Sequence, residues 1–286
     1  MEDTTKKWEW EIGPKPVYSL TAALKSLYSY RHFHWALVRK DFLLNYQQTI
    51  LGPLWIFFQP ILTLIVYVLV FGRLIGIPTG KNIPPVLFYF SGIILWNFFS
   101  DVFGGISNTF RDHIHLYGKV YFPRIIVPLS ILSTHFLRFI IQFALLVIVI
   151  IYYVLFKNFQ FDAGLTLLIL PFVFLGVAMI STGFGLIAAI LTVRYRDMAN
   201  LIGIVLRLLM FVTPVLYPLA SLTKQLKWVV LVNPLTPLFE LFRHSLLGEG
   251  SVDTNTLAYS FLFGFAVLIG SIFLFSARSS KLIDIS

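Results

Sequence analysis

Asp101, Arg138 and Arg207 stand inside runs of apolar residues. Arg207 lies midway along the run Met198–Tyr217, about 13 Å deep at 1.5 Å per residue. An arginine at that depth costs about 2.5–3.5 kcal/mol even on the lenient insertion scale, so it is expected to face protein and to have a partner. Asp101, on the run Val86–Ser107, lies about 9 Å from the same edge and is the carboxylate within reach in depth. Arg138 falls at the edge of the hydrocarbon core, where its head can snorkel to water. One carboxylate between two guanidiniums leaves surplus positive charge. Such a group either holds an anion or forms a purely structural ion pair, and the sequence leaves both open.

Little other chemistry is expected. No G-x-x-x-x-G-K-[ST] phosphate loop, H-E-x-x-H pair or D-x-D carboxylate pair occurs. His113 and His115 flank one residue in a basic loop and read as a solvated pair. With no cysteine there is no disulfide framework or thiolate metal site. The chain is read as a non-enzyme that binds no cofactor or metal.

The elements that position these residues are read as membrane spans. Hydrophobic residues make up 58% of 286 and charged residues 12%, against about a quarter charged in soluble domains. Apolar runs of about 20 residues suffice to cross a bilayer core. Six are expected, near 54–75, 86–107, 125–156, 165–192, 198–217 and 257–275, forming an all-α transmembrane domain over 51–286. Lys and Arg number 14 on the side of the termini and six on the other, which puts both termini in the cytoplasm. The net charge of +9 is read as this bias, not as a nucleic-acid surface. No cleavable leader is expected. Residues 1–50 form a cytoplasmic segment in which Leu20, Ala23, Leu24, Leu27 and Tyr28 recur at helical spacing, an amphipathic helix for the membrane interface or for a soluble partner. Tyr46 and Trp55 suit the interface, Gly52-Pro53 lets the chain turn into the bilayer, and Pro60 should kink the first span. Gly183-Phe-Gly185 in the fourth span reads as close helix packing.

Two connecting segments stand out. Asn108–Gly118 is expected as one short cytoplasmic helix, capped by Asn108 or Thr109 and ended by Gly118: a surface turn or a docking knob. Beyond the fifth span, two apolar helices broken at Asn233-Pro234 are too short to cross and too apolar to be loose, so a re-entrant hairpin on the outer face is expected. Within it Glu240 reaches Arg243 as a surface ion pair or a gating latch.

At these blocks the chain resembles the ABC-2 type polysaccharide exporter permeases, most closely the O-antigen export permeases of the Wzm group, with teichoic-acid and capsule relatives. The stretch Leu51-Gly52-x-Leu54-Trp55 with Gln59-Pro60, then Phe88–Phe99, Tyr121–Ser130, Arg194–Met198, Thr213–Pro218 and Asn233–Arg243, follow that family's order. The resemblance implies a half-transporter of the bacterial inner membrane. Two copies would form a channel driven by two cytosolic P-loop ATPase subunits, which use the ATP and Mg. The cargo would be a polysaccharide on undecaprenyl diphosphate. It further implies ATPase coupling by Arg111, Asp112, His113, His115, Tyr117, Arg194, Arg196 and Asp197, and an outer gate holding Trp228, Asn233, Pro234, Glu240 and Arg243. Trp96 and Phe99, with Tyr46, Trp55, Asp101, Arg138 and Arg207, are candidates for lining the channel. The chain departs from the family at Asn45-Tyr46-Gln47, where Arg-Tyr-Arg is common, at Arg138, where an acid is common, and at Leu95, where Pro is. The alternatives are export of teichoic acid, capsule or a small molecule, an ion-coupled transporter using Arg138 and Arg207, and a membrane glycosyltransferase, disfavoured by the missing carboxylate pair.

Overall fold

The computed structural model describes residues 19–44, 46–80, 83–117, 122–159, 164–195, 197–248, 250 and 253–282. The described chain is helical: α1 (Leu20–Ser29), α2 (Arg31–Leu44), α3 (Trp55–Tyr67), α4 (Pro85–Ser107), α5 (Thr109–Asp112), α6 (Ile114–Tyr117), α7 (Ile126–Lys157), α8 (Leu170–Arg194), α9 (Met198–Val212), α10 (Lys224–Val232), α11 (Thr236–Leu247) and α12 (Thr254–Leu282).

Gly52-Pro53-Leu54 makes one tight helical turn that leads into α3. Pro60 sits inside α3 and lacks the N–H that would bond to the carbonyl of Ile56. Gln142 of α7 takes that role, its Nε2 donating to Ile56 O at 3.3 Å. Beyond Tyr67 the rod widens into π-helical turns, Val68–Leu74.

Helix α4 is the centre. It is apolar all round, and 16 of its 23 residues are buried, the pattern of a helix enclosed by others. Helices α3, α7, α8, α9 and α11 pack on it, and α12 packs along α8. Glycines set the closest approaches, as the Gly183-Phe-Gly185 pattern led us to expect. A Cβ on Gly183 would stand 2.8 Å from Val267 of α12, and one on Gly185 2.8 Å from Ile106 of α4.

Among the described residues five helical rods can cross a membrane by length and composition: Gly52–Leu74, Pro85–Ser107, Ile126–Lys157, Thr166–Arg194 and Thr254–Arg278. The expected span 198–217 is shorter as a helix, since α9 stops at Val212. Thr213 precedes a proline and is extended at φ −90°, ψ 141°, as a residue before Pro is steered to be.

The bundle has two distinct ends. At one, α5 and α6 lie beside the close of α8 and α12: Thr192 Oγ1 donates to Ser107 O, and Phe110 stacks on Phe275 with ring centroids 5.3 Å apart. Helices α1 and α2 lie against the start of α7, where Phe33 meets Phe122 at 4.8 Å and His34 Nε2 lies 3.1 Å from Ser133 Oγ. At the other end sit α10 and α11. Helix α9 begins just after α8 closes at the first end and delivers the chain to α10 at the second.

Three local expectations change. Ser19 caps α1 by accepting from Ala22 N, a cap the spacing did not point to; Tyr28 is 73% exposed, as a residue of a face turned to a membrane interface or a partner is, and Arg31 covers its ring. The side chains of Leu20 and Leu24 lie outside the described residues. Helix α2 was not anticipated; its buried His34, Leu37 and Val38 face α7. The single loop helix is two turns, α5 and α6, broken at His113 (φ −120°, ψ 19°). Asn108 occupies the cap position but turns its Nδ2 back to Gly104 O. Gly118 lies outside the described residues.

Candidate functional site

Two groups of polar side chains occupy the two ends. At the α5–α6 end, Lys40, Asp41, Asp112, His113, His135 and Arg138 line a cleft of about 310 Å³. Asp41 on α2 and His113 approach to 3.7 Å; Asp101 on α4 and His135 on α7 approach to 3.9 Å. Arg138 lies over the Tyr46 ring at 5.3 Å, the range of a cation–π contact. Burial raises the Tyr46 pKa, and the nearby Arg138 opposes the shift.

Asp101 therefore does not meet Arg207, contrary to the expected pairing. Its near neighbour is His135, one turn before Arg138. Arg207 is exposed on α9 and has no ion pair among the described residues. Its helical neighbours Ile204, Leu208 and Phe211 are exposed as well. Trp96 and Phe99 are buried side by side, centroids 5.4 Å apart, so within this chain they are core and not wall. Trp55 is partly exposed against Phe58.

The coupling candidates divide. Arg111 and Asp112 form an exposed ion pair at 3.2 Å, and His115 is exposed beside Ile114. His113 instead turns in toward Asp41. Tyr117 packs between Phe110 and Phe122, and burial holds its hydroxyl well above the usual pKa of 10. Arg194 lies over Tyr195, Asp197 stands exposed before α9, and Arg196 lies outside the described residues.

At the opposite end the hairpin is bolted to the bundle. Asn233 donates to Thr213 Oγ1 at 2.8 Å while its Oδ1 accepts from Leu235 N at 3.0 Å, so the break at Asn233-Pro234 is a side-chain-held turn. Gly248, at φ +74°, ends α11. Nearly all of α11 is buried, whereas Trp228 on α10 is 68% exposed.

Glu240 and Arg243 are no surface pair. They are 4% and 3% exposed, with Nη1 3.9 Å from Oε1. The guanidinium lies 3.9 Å over the Phe88 ring and donates from Nη2 to Val215 O at 2.7 Å. It fits because residue 92 is glycine; a Cβ there would stand 2.8 Å from Nη2. Burial lowers the Arg243 pKa to about 10, with Glu240 opposing, so it remains a cation at neutral pH. Sequence reading missed Gly92, Phe88, Asp41 and His135. The one signal available was a glycine in the middle of an aromatic span.

A helical bundle with long apolar rods packed through glycine seams defines a polytopic membrane protein. The chain belongs to the ABC-2 type transporter family, whose model matches residues 33–247. It is 28% identical over 223 residues to the O-antigen export system permease protein RfbA of Myxococcus xanthus, covering 77% of this chain and 82% of that protein. An RfbA of the same description from Klebsiella pneumoniae is 22% identical over 87% of this chain and 93% of its own length. The polysialic acid transport protein KpsM of Escherichia coli is 25% identical over 82% and 88%.

Proposed function

We propose that the chain is the channel-forming permease of an ABC exporter. It carries an O-antigen polysaccharide, linked to undecaprenyl diphosphate, outward across the bacterial inner membrane. Separate cytosolic ATPase subunits supply the work. The observation that carries the reading is similarity along residues 33–247, joined to the polysaccharide-export names of the relatives. KpsM favours a capsule polysaccharide as the second cargo.

The layout supports six crossings with cytoplasmic termini. The Lys/Arg bias favours cytoplasmic termini, and α9, followed by the turns at Thr213–Tyr217, leads from one end of the bundle to the other. The α5–α6 end is then cytoplasmic, and Arg111, Asp112, Ile114 and His115 are the exposed groups for an ATPase to grip. The hairpin end is the outer mouth, with α11 as its plug. Arg207 supports a second copy. An exposed midplane arginine in lipid is costly, whereas two copies facing each other across α3 and α9 would put it on the wall of a wet passage. Arg138, over Tyr46, stands where a diphosphate would enter.

Cysteine placed at His115 provides the test, since no other thiol competes. Cross-linking from position 115 should capture the ATPase, and export should stop when that ATPase is inactivated. Capture of lipid alone, or export that follows only a pH gradient, would defeat the proposal.

A further inference from the structure

A cavity of about 530 Å³ opens at the hairpin end, within the size range of small-ligand pockets. Pro78 and Ile83 form one wall, Pro218 and Ser221 another, and Glu240 and Arg243 line it with Phe88. Arg243 is nearly sealed from solvent, yet its Nε and Nη1 have no hydrogen-bond partner among the described residues. Those two nitrogens carry three of the five guanidinium N–H bonds. A buried donor left without an acceptor is costly, so the site favours a ligand that brings acceptor oxygens.

Charge decides which oxygens. Glu240 stands 3.9 Å from Nη1 and cancels the cation. A free anion entering the cavity would meet that carboxylate. A neutral group rich in hydroxyls meets no such penalty, because each hydroxyl both accepts from a guanidinium and donates to a carboxylate. The remaining walls, Pro78, Ile83 and Pro218, are apolar and can lie against C–H faces. We infer that this cavity is a binding site for a neutral sugar unit, engaged by Arg243 and Glu240 as the polymer leaves the channel. The inference rests on the export reading for its cargo, but its chemistry is tested apart from export.

The test uses the full chain carrying Ser221→Cys in lipid nanodiscs. The labelling rate by a membrane-impermeant maleimide is followed with glucose, galactose, mannose, rhamnose or their disaccharides present, and with sodium sulfate as the anion probe. At least one neutral sugar should slow labelling about threefold at twice its Kd, by simple competition, while sulfate does not. Adding Glu240→Gln should weaken sugar protection and let sulfate protect. Adding Pro78→Trp, which fills the cavity from a wall that carries no charge, should abolish protection. Should Glu240→Gln fail to fold, the Pro78→Trp comparison decides alone. Protection by sulfate but by no sugar in the Ser221→Cys chain, no protection by either, or sugar protection surviving Pro78→Trp would overturn the site. No ATPase takes part, so a chain that binds sugar but exports nothing breaks only the export reading.

Discussion

Pro60 withholds one donor from α3, and Gln142 returns it from 86 positions along the chain. In a membrane no water can stand in for that bond. Gln142→Leu should therefore leave the Ile56 carbonyl bare at a cost of about 1–3 kcal/mol, read as a lowered Tm in nanodiscs; pairing it with Pro60→Ala should recover most of the loss. His34 offers a second check. Burial lowers its pKa from the usual 6.5. Above about pH 6.5 both folded and unfolded chains hold it neutral, and the folded state keeps its full stability. As pH falls through 6.5 toward the lower folded value, the unfolded chain takes up the proton first and stability drops. Against the unsubstituted chain, His34→Gln should flatten the fall in Tm between about pH 7 and pH 5; an unchanged slope would show that other groups cause it. Pro60 was legible as a missing donor inside the first span, but its remedy in α7 was not. A glutamine in an apolar run announces a need for a partner without saying where the partner is.

Helices were legible wherever apolar runs were long. The boundaries of α4 and α7 follow the runs to within a residue, because burial of an apolar rod and satisfaction of its backbone coincide, whereas α12 extends past its run at both ends, to Thr254 and Leu282. Short elements were harder. The segment 108–118 carries helix signals, but Thr109 and Phe110 are buried against the bundle, and tertiary contacts there outweigh propensity. The Gly183 seam was legible as close packing, not as a seam with α12. Gly183→Val should pry α8 from α12, since the Cβ meets Val267 and the backbone nitrogen of Leu268 at 2.8 and 3.1 Å. Overpacking of this kind costs about 1–3 kcal/mol or more, and folded yield should fall clearly below that of Gly203→Ala, where a Cβ meets nothing within 4 Å. Equal yields would mean that the seam opens freely. Glu240 and Arg243 were legible as a pair, but their burial was not, because it depends on Gly92 and Val215 from distant elements.

The whole molecule leaves one charged surface unexplained by a single copy: the α9 face with Arg207. If two copies enclose it, Arg207→Leu should keep folded yield and lose export. A lipid-facing Arg207 predicts the opposite, with yield raised by the removed insertion cost of about 2.5–3.5 kcal/mol and export unchanged. Ile204→Cys, one turn away, should let a bifunctional maleimide link two copies; monomers alone would count against the shared passage. This placement was out of reach of the sequence. Depth can be counted from a run of residues, but the direction a helix faces depends on what packs beside it.

The bond between Gln142 and Ile56 also imposes a schedule. During synthesis the first span leaves the ribosome 86 residues before its donor does. At about 5–20 residues per second that is a wait of roughly 4–17 s. Through that interval the nascent first span carries an open carbonyl. It should stay beside the translocon or at the wet interface and not diffuse into lipid. Chains arrested before residue 142 should cross-link from the first span to the translocon, and chains arrested well after it should release.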